Sequence, residues 1–119
     1  MPKKRAIERV REIALALPET SERLSHGEPT WFVRTKVFAS WEDHHHGDPI
    51  VGLWLNAEPG LQEILVGAQP DCFYRPKYVG YKGWIGVNMD GPLDWGQVAD
   101  LIRDSYRLTA PKKLAALIA

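Results

Sequence analysis

Residues 73–84 combine cationic and aromatic side chains and include no acidic residue. The cationic members are Arg75, Lys77 and Lys82, and the aromatic members are Phe73, Tyr74, Tyr78, Tyr81 and Trp84. Cationic side chains can bind phosphate groups, and exposed rings can stack on nucleic-acid bases. This composition favours a nucleic-acid-binding surface that includes Arg75, Lys77, Tyr78, Tyr81, Lys82 and Trp84.

Arg34 and Lys36 occupy a short polar segment between two predicted strands and are two further cationic candidates. They would extend the same surface if their turn lies at the same edge of the sheet. A structural interpretation competes with this one, because alternate residues of a strand commonly fill the core while their neighbours face water. On that interpretation the aromatic residues of 73–84 are core residues.

Residues 44–46 are three consecutive histidines in a segment that is rich in acidic residues. Alternate side chains of an extended segment point the same way, so His44 and His46 could share a metal ion such as zinc or nickel. A further ligand could come from Glu42, Asp48 or His26. The spacing matches no established metal-site motif, and the alternative is a solvated loop whose charge changes near the usual histidine pKa of ~6.5.

Motifs of the common enzyme classes do not occur in the sequence, which lacks a GxGxxG, a Walker loop and the kinase and deaminase signatures. Cys72 lies in an apolar, strand-like context that is typical of a buried structural cysteine. Ser105 lies within a predicted helix rather than on the sharp turn that exposes a serine nucleophile. We therefore expect a binding protein rather than an enzyme, and no cofactor.

The elements that position these residues follow from hydrophobic periodicity. Apolar residues at helical spacing predict a first helix that Pro18 ends, a short helix from Pro59, a helix from Asp94 to Leu108, and a last short helix after Pro111. Short aromatic and β-branched runs predict five strands, over residues 31–33, 37–41, 50–55, 72–77 and 84–88. The prediction is a single α+β domain over residues 1–119, with two layers and a five-stranded antiparallel sheet, in the order α-β(3)-α-β(2)-α(α).

Composition limits the partners and the compartment. Fifteen Lys and Arg balance fifteen Asp and Glu, so the net charge is zero and any site for a polyanion must be local. One cysteine excludes an intramolecular disulfide and a multi-cysteine metal site. No apolar run approaches the ~20 residues of a membrane span, and the basic N-terminus is not followed by the apolar core of a signal peptide. We expect a cytoplasmic protein without a membrane partner.

Several short pieces of the sequence occur in a specific order and spacing. They are residues 17–20 (LPET), 26–32 (HGEPTWF), 36–39 (KVFA), 83–87 (GWIGV), 94–95 (DW), 105–106 (SY) and 110–114 (APKKL). In these pieces, and over nearly all of its length, the chain resembles the MmcQ/YjbR-like family. The resemblance implies an α-β(3)-α-β(2)-α arrangement around one antiparallel sheet and a DNA-binding protein of the "double wing" type.

Two alternatives to DNA binding stay open. The implied fold also resembles the secretion-chaperone class, and a helix-backed sheet leaves a face or an edge to cover, so a protein-interaction or chaperone-like module is the first. The second is an enzyme or small-ligand pocket near Trp84 and the histidine segment. A contiguous positive surface favours nucleic acid, an exposed apolar patch favours a protein partner, and a buried cluster of polar groups favours a pocket.

Overall fold

Strands of alternating residue type build one antiparallel sheet with two unlike faces. The computed structural model describes residues 5–44 and 49–118. In chain order its elements are α1 (Ala6–Leu15), β1 (Thr20–Ser25), β2 (Glu28–Val33), β3 (Lys36–Asp43), β4 (Val51–Leu55), α2 (Leu61–Ala68), β5 (Phe73–Tyr74), β6 (Ile85–Asn88), α3 (Trp95–Thr109) and α4 (Lys112–Ala116). The six strands lie in the order β1-β2-β3-β4-β6-β5, and every neighbouring pair is antiparallel.

The sheet has six strands, so the prediction of five is wrong by one. The additional strand is β1, which lies at the edge of the sheet and is polar and largely exposed, so it lacks the aromatic and β-branched run that marks the other strands. It pairs with β2 through a two-residue turn at His26 and Gly27, where both residues have positive φ, 53° and 81°. This backbone is that of the tight hairpin turn which matches the twist of paired strands.

The other predicted elements are confirmed with altered ends. The predicted strand over 72–77 shortens to Phe73–Tyr74, because Pro76 and the following turn end its pairing. The helix predicted from Asp94 to Leu108 is α3, and the side chain of Asp94 caps its first turn. The Asp94 carboxylate accepts hydrogen bonds from the backbone N–H groups of Gly96 and Gln97 at 2.9 and 3.2 Å.

α1 and α3 cover one face of the sheet. The buried residues of α3 form one stripe, consisting of Val98, Leu101, Ile102, Ser105 and Tyr106. The Tyr106 hydroxyl donates to the carbonyl of Pro18 at 2.7 Å, and its ring meets the ring of Phe38 edge to face at 5.6 Å between centroids. Ser105 donates to the carbonyl of Phe38 and accepts from the N–H of Asn56, so α3 is hydrogen-bonded to β3 and to the end of β4.

A second hydrogen-bonded cluster joins α1 to the edge of the sheet. The Glu22 carboxylate of β1 accepts two bonds from the Arg11 guanidinium, at 2.6 and 2.9 Å, and one from the indole N–H of Trp31 at 2.9 Å. The hydrogen bond from Arg11 holds the pKa of Glu22 below its ordinary value of 4.5. This cluster fixes the edge strand β1, whose own apolar content is low.

Within residues 5–44 and 49–118 there is no helix with both the length and the apolar character that crossing a bilayer requires.

Candidate functional site

The sheet face opposite α3 carries a cavity of about 660 Å³. Thr30, Ser40 and Trp54 are direct cross-strand partners and therefore point to the same face, and all three line this cavity. Among the residues that the structure describes, the cavity is lined by Ser25, His26, Thr30, Val37, Ser40, Glu42, Trp54, Tyr78, Val79 and Trp84. The next row of cross-strand partners, Trp31, Ala39 and Leu55, is fully buried in the core on the other side.

Two glycines shape the floor beside this cavity. Gly86 is the cross-strand partner of both Trp54 and Tyr74, and the Tyr74 ring lies against Gly86 and Gly52. A methyl group at Gly86 would lie 2.6 Å from Tyr74 Cε2, which is too close for a real contact. The Tyr74 hydroxyl accepts a hydrogen bond from Trp54 Nε1 at 2.9 Å, so the Trp54 indole is held in one orientation in the cavity wall.

Residues 75–84, which we call the basic aromatic loop, connect β5 to β6 beside this cavity. The amide of Gln62, a buried residue of α2, donates to the carbonyls of Gly80 and Trp84 at 2.8 and 2.5 Å. The aliphatic stem of Arg75 packs on Gly80, where an added Cβ would lie 2.7 Å from Arg75 Cγ. Tyr78 has a positive φ of 65°, which turns the chain sharply. The loop is thus fixed from its inner side.

The outer side of the basic aromatic loop exposes the residue types that the sequence singled out. Tyr78 is 63% exposed and Tyr81 is 74% exposed, which is unusual for large aromatic side chains. The cationic residues Arg75, Lys77 and Lys82 are also exposed. The Lys82 ammonium lies 5.8 Å from the centroid of the Tyr81 ring. Trp84 is partly buried and, with Tyr78, lines the cavity.

Arg34 and Lys36 line a different cavity, of about 330 Å³, together with Thr109, Ala110 and Pro111. The Arg34 guanidinium binds the Glu19 carboxylate at 3.0 and 3.3 Å, and this hydrogen bond lowers the pKa of Glu19. The backbone N–H of Arg34 also donates to the carbonyl of Glu19 at 3.1 Å, at a position with φ of 55°. Arg34 therefore already has a carboxylate partner in the folded chain.

The proposed histidine ligands are only partly described. His44 is exposed, and its Nδ1 lies 2.8 Å from the carboxylate of Asp43. His46 and Asp48 lie outside the described residues, so the metal pair of His44 and His46 stays a prediction. In the described ranges, 5–44 and 49–118, no group of three or more His, Cys, Asp or Glu is arranged to hold a metal ion. Glu42 and His26, the other candidate ligands, line the 660 Å³ cavity.

Cys72 is a buried free cysteine, as the sequence indicated. Its Sγ lies 3.5 Å from the carbonyl oxygen of Pro92, to which the thiol donates. This contact packs the thiol against the segment before α3.

The sequence did not single out the strand residues of the cavity, namely Ser25, Thr30, Val37, Ser40 and Trp54. A signal for them was available in Gly52 and Gly86, because a glycine inside a strand often marks the close approach of another group. That signal identifies the face to which a ring can come near, but it does not say which ring. The ring is Tyr74, from the shortest strand of the sheet.

Comparisons with known proteins agree with this architecture. The family model described as YjbR matches residues 15–108. Among solved structures, the crystal structure of the Deinococcus radiodurans protein DR2400, a DUF419 domain, is similar with a TM-score of 0.78 and 19% identity, over 96% of this chain and 88% of that chain. At this identity the likeness shows the fold. No curated protein matches the chain.

Proposed function

The chain belongs to the YjbR family, and we propose that it is a binding module whose basic aromatic loop holds single-stranded DNA. The observation that carries the proposal is the exposure of two tyrosine rings beside three cationic side chains, on a loop that is fixed from behind. Bases that are not paired in a duplex can stack on such rings, while phosphates bind to the neighbouring cations. The DNA-binding function that the family resemblance implies points to the same partner.

The rigidity of the loop supports this function. Stacking is favourable when the ring is already held in place, because binding then orders fewer side-chain and backbone degrees of freedom. Gln62 supplies two hydrogen bonds that hold the loop, and Gly80 allows the stem of Arg75 to pack closely. Tyr78 and Tyr81 therefore project from a defined backbone.

The charge distribution is consistent with a local site. The whole chain has no net charge, but the loop carries Arg75, Lys77 and Lys82 and no carboxylate. Cations at short range can bind phosphates without a positive field over the whole molecule, although such binding is sensitive to salt. The proposal therefore predicts a weak-to-moderate affinity that salt reduces.

Fluorescence anisotropy with labelled single and double strands, between low and physiological salt, tests this proposal. If three cations neutralise three phosphates of a single strand, log affinity falls with log salt with a slope near −2, since each phosphate contributes about −0.7. Lys82→Ala should flatten the slope by about 0.7. The matched control is Lys112→Ala, an exposed lysine of α4, which should leave the slope unchanged.

The tyrosines test the stacking part of the proposal. Tyr81→Ala should weaken single-strand binding by about 1 to 3 kcal/mol and affect duplex binding less, because only an unpaired base is free to stack. The ring is 74% exposed, so the thermal midpoint should not change. If neither strand binds at tens of micromolar protein and low salt, the proposal is wrong and a protein-interaction module becomes the favoured interpretation.

A further inference from the structure

We propose that the 660 Å³ cavity on the open sheet face binds a quaternary ammonium ion through its aromatic rings. Three of the described lining residues are aromatic, namely Trp54, Tyr78 and Trp84. The faces of such rings carry negative charge density and attract cations, and tryptophan does so most strongly. The proposal goes beyond DNA binding and does not rest on it, because the cations of the basic aromatic loop are not among the described lining residues.

The cavity has the size and the fixed walls of a small-molecule site. Its volume falls within the range of about 300 to 1,000 Å³ that is usual for such sites. Trp54 Nε1 donates to the Tyr74 hydroxyl at 2.9 Å, and the carbonyl of Trp84 accepts from the Gln62 amide. Neither hydrogen bond uses the face of an indole ring. A ligand can therefore contact both indoles without first ordering them.

The indoles of the cavity differ from Trp95, which lies outside the described lining and already has a cation partner. The guanidinium carbon of Arg9 lies 5.2 Å from the centroid of the Trp95 ring. In the part of the chain that the structure describes, no Lys or Arg side chain is paired in this way with Trp54 or Trp84, and none lines the cavity. A cation on these two rings must therefore come from a ligand.

Two titratable residues of the lining, Glu42 and His26, limit which cation fits. Glu42 already has an interaction within the folded chain, so the proposal does not use its carboxylate as a free acceptor. A primary ammonium needs acceptors for its three N–H donors, whereas a quaternary ammonium has no N–H and binds through aromatic and apolar contacts. Val37 and Val79 of the lining supply apolar contacts to its methyl groups. His26 opposes a cation when it is protonated, so binding is measured above the pH range in which histidines ordinarily titrate.

The test compares choline with 3,3-dimethylbutan-1-ol, a neutral molecule of the same shape in which carbon replaces the charged nitrogen. Titrations at about pH 8 and physiological salt, which screens the exposed cations of the loop, are followed by the indole N–H signals in NMR spectra. Choline should bind about tenfold or more tightly than the alcohol, because only the charged molecule is attracted by the rings. The signals of Trp54 and Trp84 should shift, and that of Trp95 should not.

Two variants test the part played by the rings. Trp84→Leu keeps an apolar side chain but removes the indole, so it should reduce the ratio of the two affinities about fivefold or more. The matched control is Trp95→Leu, which removes an indole outside the described lining and should leave the ratio unchanged.

Equal affinities of choline and the alcohol for the wild type overturn the proposal, since the cavity would then bind apolar groups without regard to charge. No binding of choline at millimolar concentrations also overturns it, as does a ratio that survives Trp84→Leu. The wild-type comparison needs no variant, so a folding defect in Trp84→Leu does not affect it. DNA binding is measured separately, and its failure leaves the ammonium site standing.

A soluble molecule and a lipid headgroup can both carry a quaternary ammonium group. Sedimentation with phosphatidylcholine vesicles that choline reverses would identify the headgroup as the source. Binding of choline without such sedimentation would identify a soluble molecule.

Discussion

The two faces of the sheet are built from alternate residues of the same strands, yet they solve different problems. On the face toward α3, the partner row of Trp31, Ala39 and Leu55 is entirely excluded from water. On the open face, the adjacent row of Thr30, Ser40 and Trp54 borders a cavity. Apolar side chains fill the face toward α3. On the open face, the Trp54–Tyr74 hydrogen bond and the close contacts with glycines fix the aromatic rings, and a cavity remains beside them.

Because of this difference, substitutions on the two faces should have different effects on stability and on binding. Substitutions on the helix-covered face should change the free energy of unfolding, because its side chains are packed in the core. Substitutions on the open face can change the shape of the cavity while the core stays intact.

Trp31→Ala should have the largest effect, a loss of about 3 to 5 kcal/mol in the free energy of unfolding, as for large aromatic residues in cores. Trp31 is 0% exposed, and its indole N–H donates to Glu22. Urea denaturation followed by circular dichroism measures it. Trp31→Phe is the control and should cost less, because most of the ring volume remains. A loss below about 1 kcal/mol for Trp31→Ala would contradict the division between the faces.

Gly86→Ala should have an intermediate effect on the open face, about 1 to 3 kcal/mol, because the new methyl group overlaps the Tyr74 ring. Gly67→Ala is the matched control, since Gly67 lies in α2 with no atom near its added Cβ, and alanine there should stabilise by about 0.5 to 1 kcal/mol. The expected result is a lower thermal midpoint for Gly86→Ala and a higher one for Gly67→Ala. Equal effects would contradict the contact with Tyr74.

Protonation of Glu22, at the edge of the helix-covered face, should have the smallest effect on the free energy of unfolding. The pKa of Glu22 is lower in the folded chain than its ordinary 4.5, chiefly through the hydrogen bond from Arg11. Its contribution is therefore complete above about pH 4.5 and is lost as the pH falls through the folded pKa. The carboxylate is partly exposed, so the contribution is on the order of 1 kcal/mol.

Comparison of the wild type with Glu22→Gln checks this contribution. The difference between their free energies of unfolding should be constant from pH 7 to about pH 5 and should shrink toward pH 3. Glu19→Gln serves as the control, because the Glu19–Arg34 pair is more exposed and should give a smaller pH-dependent difference. A difference for Glu22→Gln that grows on acidification would show that the sign is wrong.

The sequence was informative where one interaction dominates. The stripe of α3 and the cap at Asp94 were predictable because helical spacing and capping are local properties. The edge strand β1 was missed because its residues are polar and its pairing depends on β2, although the turn at His26 and Gly27 was a usable signal. The composition of residues 73–84 singled out the loop residues, but it did not decide which of their rings are exposed.

The sequence raised a pocket near Trp84 as an alternative, but the strand residues that line the cavity could not be predicted, because contacts between residues distant in the chain bring them together. Trp54 and Tyr74 are twenty positions apart and meet only because β6 lies between their strands. The separation of Arg34 from Tyr78 and Trp84 has the same origin, since the first lines a cavity beside α4 and the other two line the sheet face. Neither the Trp54–Tyr74 contact nor the separation of Arg34 from the loop can be predicted from a local sequence pattern.

The two hydrogen bonds of Gln62 have a further consequence for local unfolding. Because its amide holds both Gly80 and Trp84, opening of α2 must release the basic aromatic loop, and the two segments should exchange their amide hydrogens as one cooperative unit. A ligand held on the loop therefore stabilises α2 as well, although α2 supplies no residue to the cavity lining. Slower amide exchange in α2 would therefore indicate that a ligand is bound to the outer side of the loop.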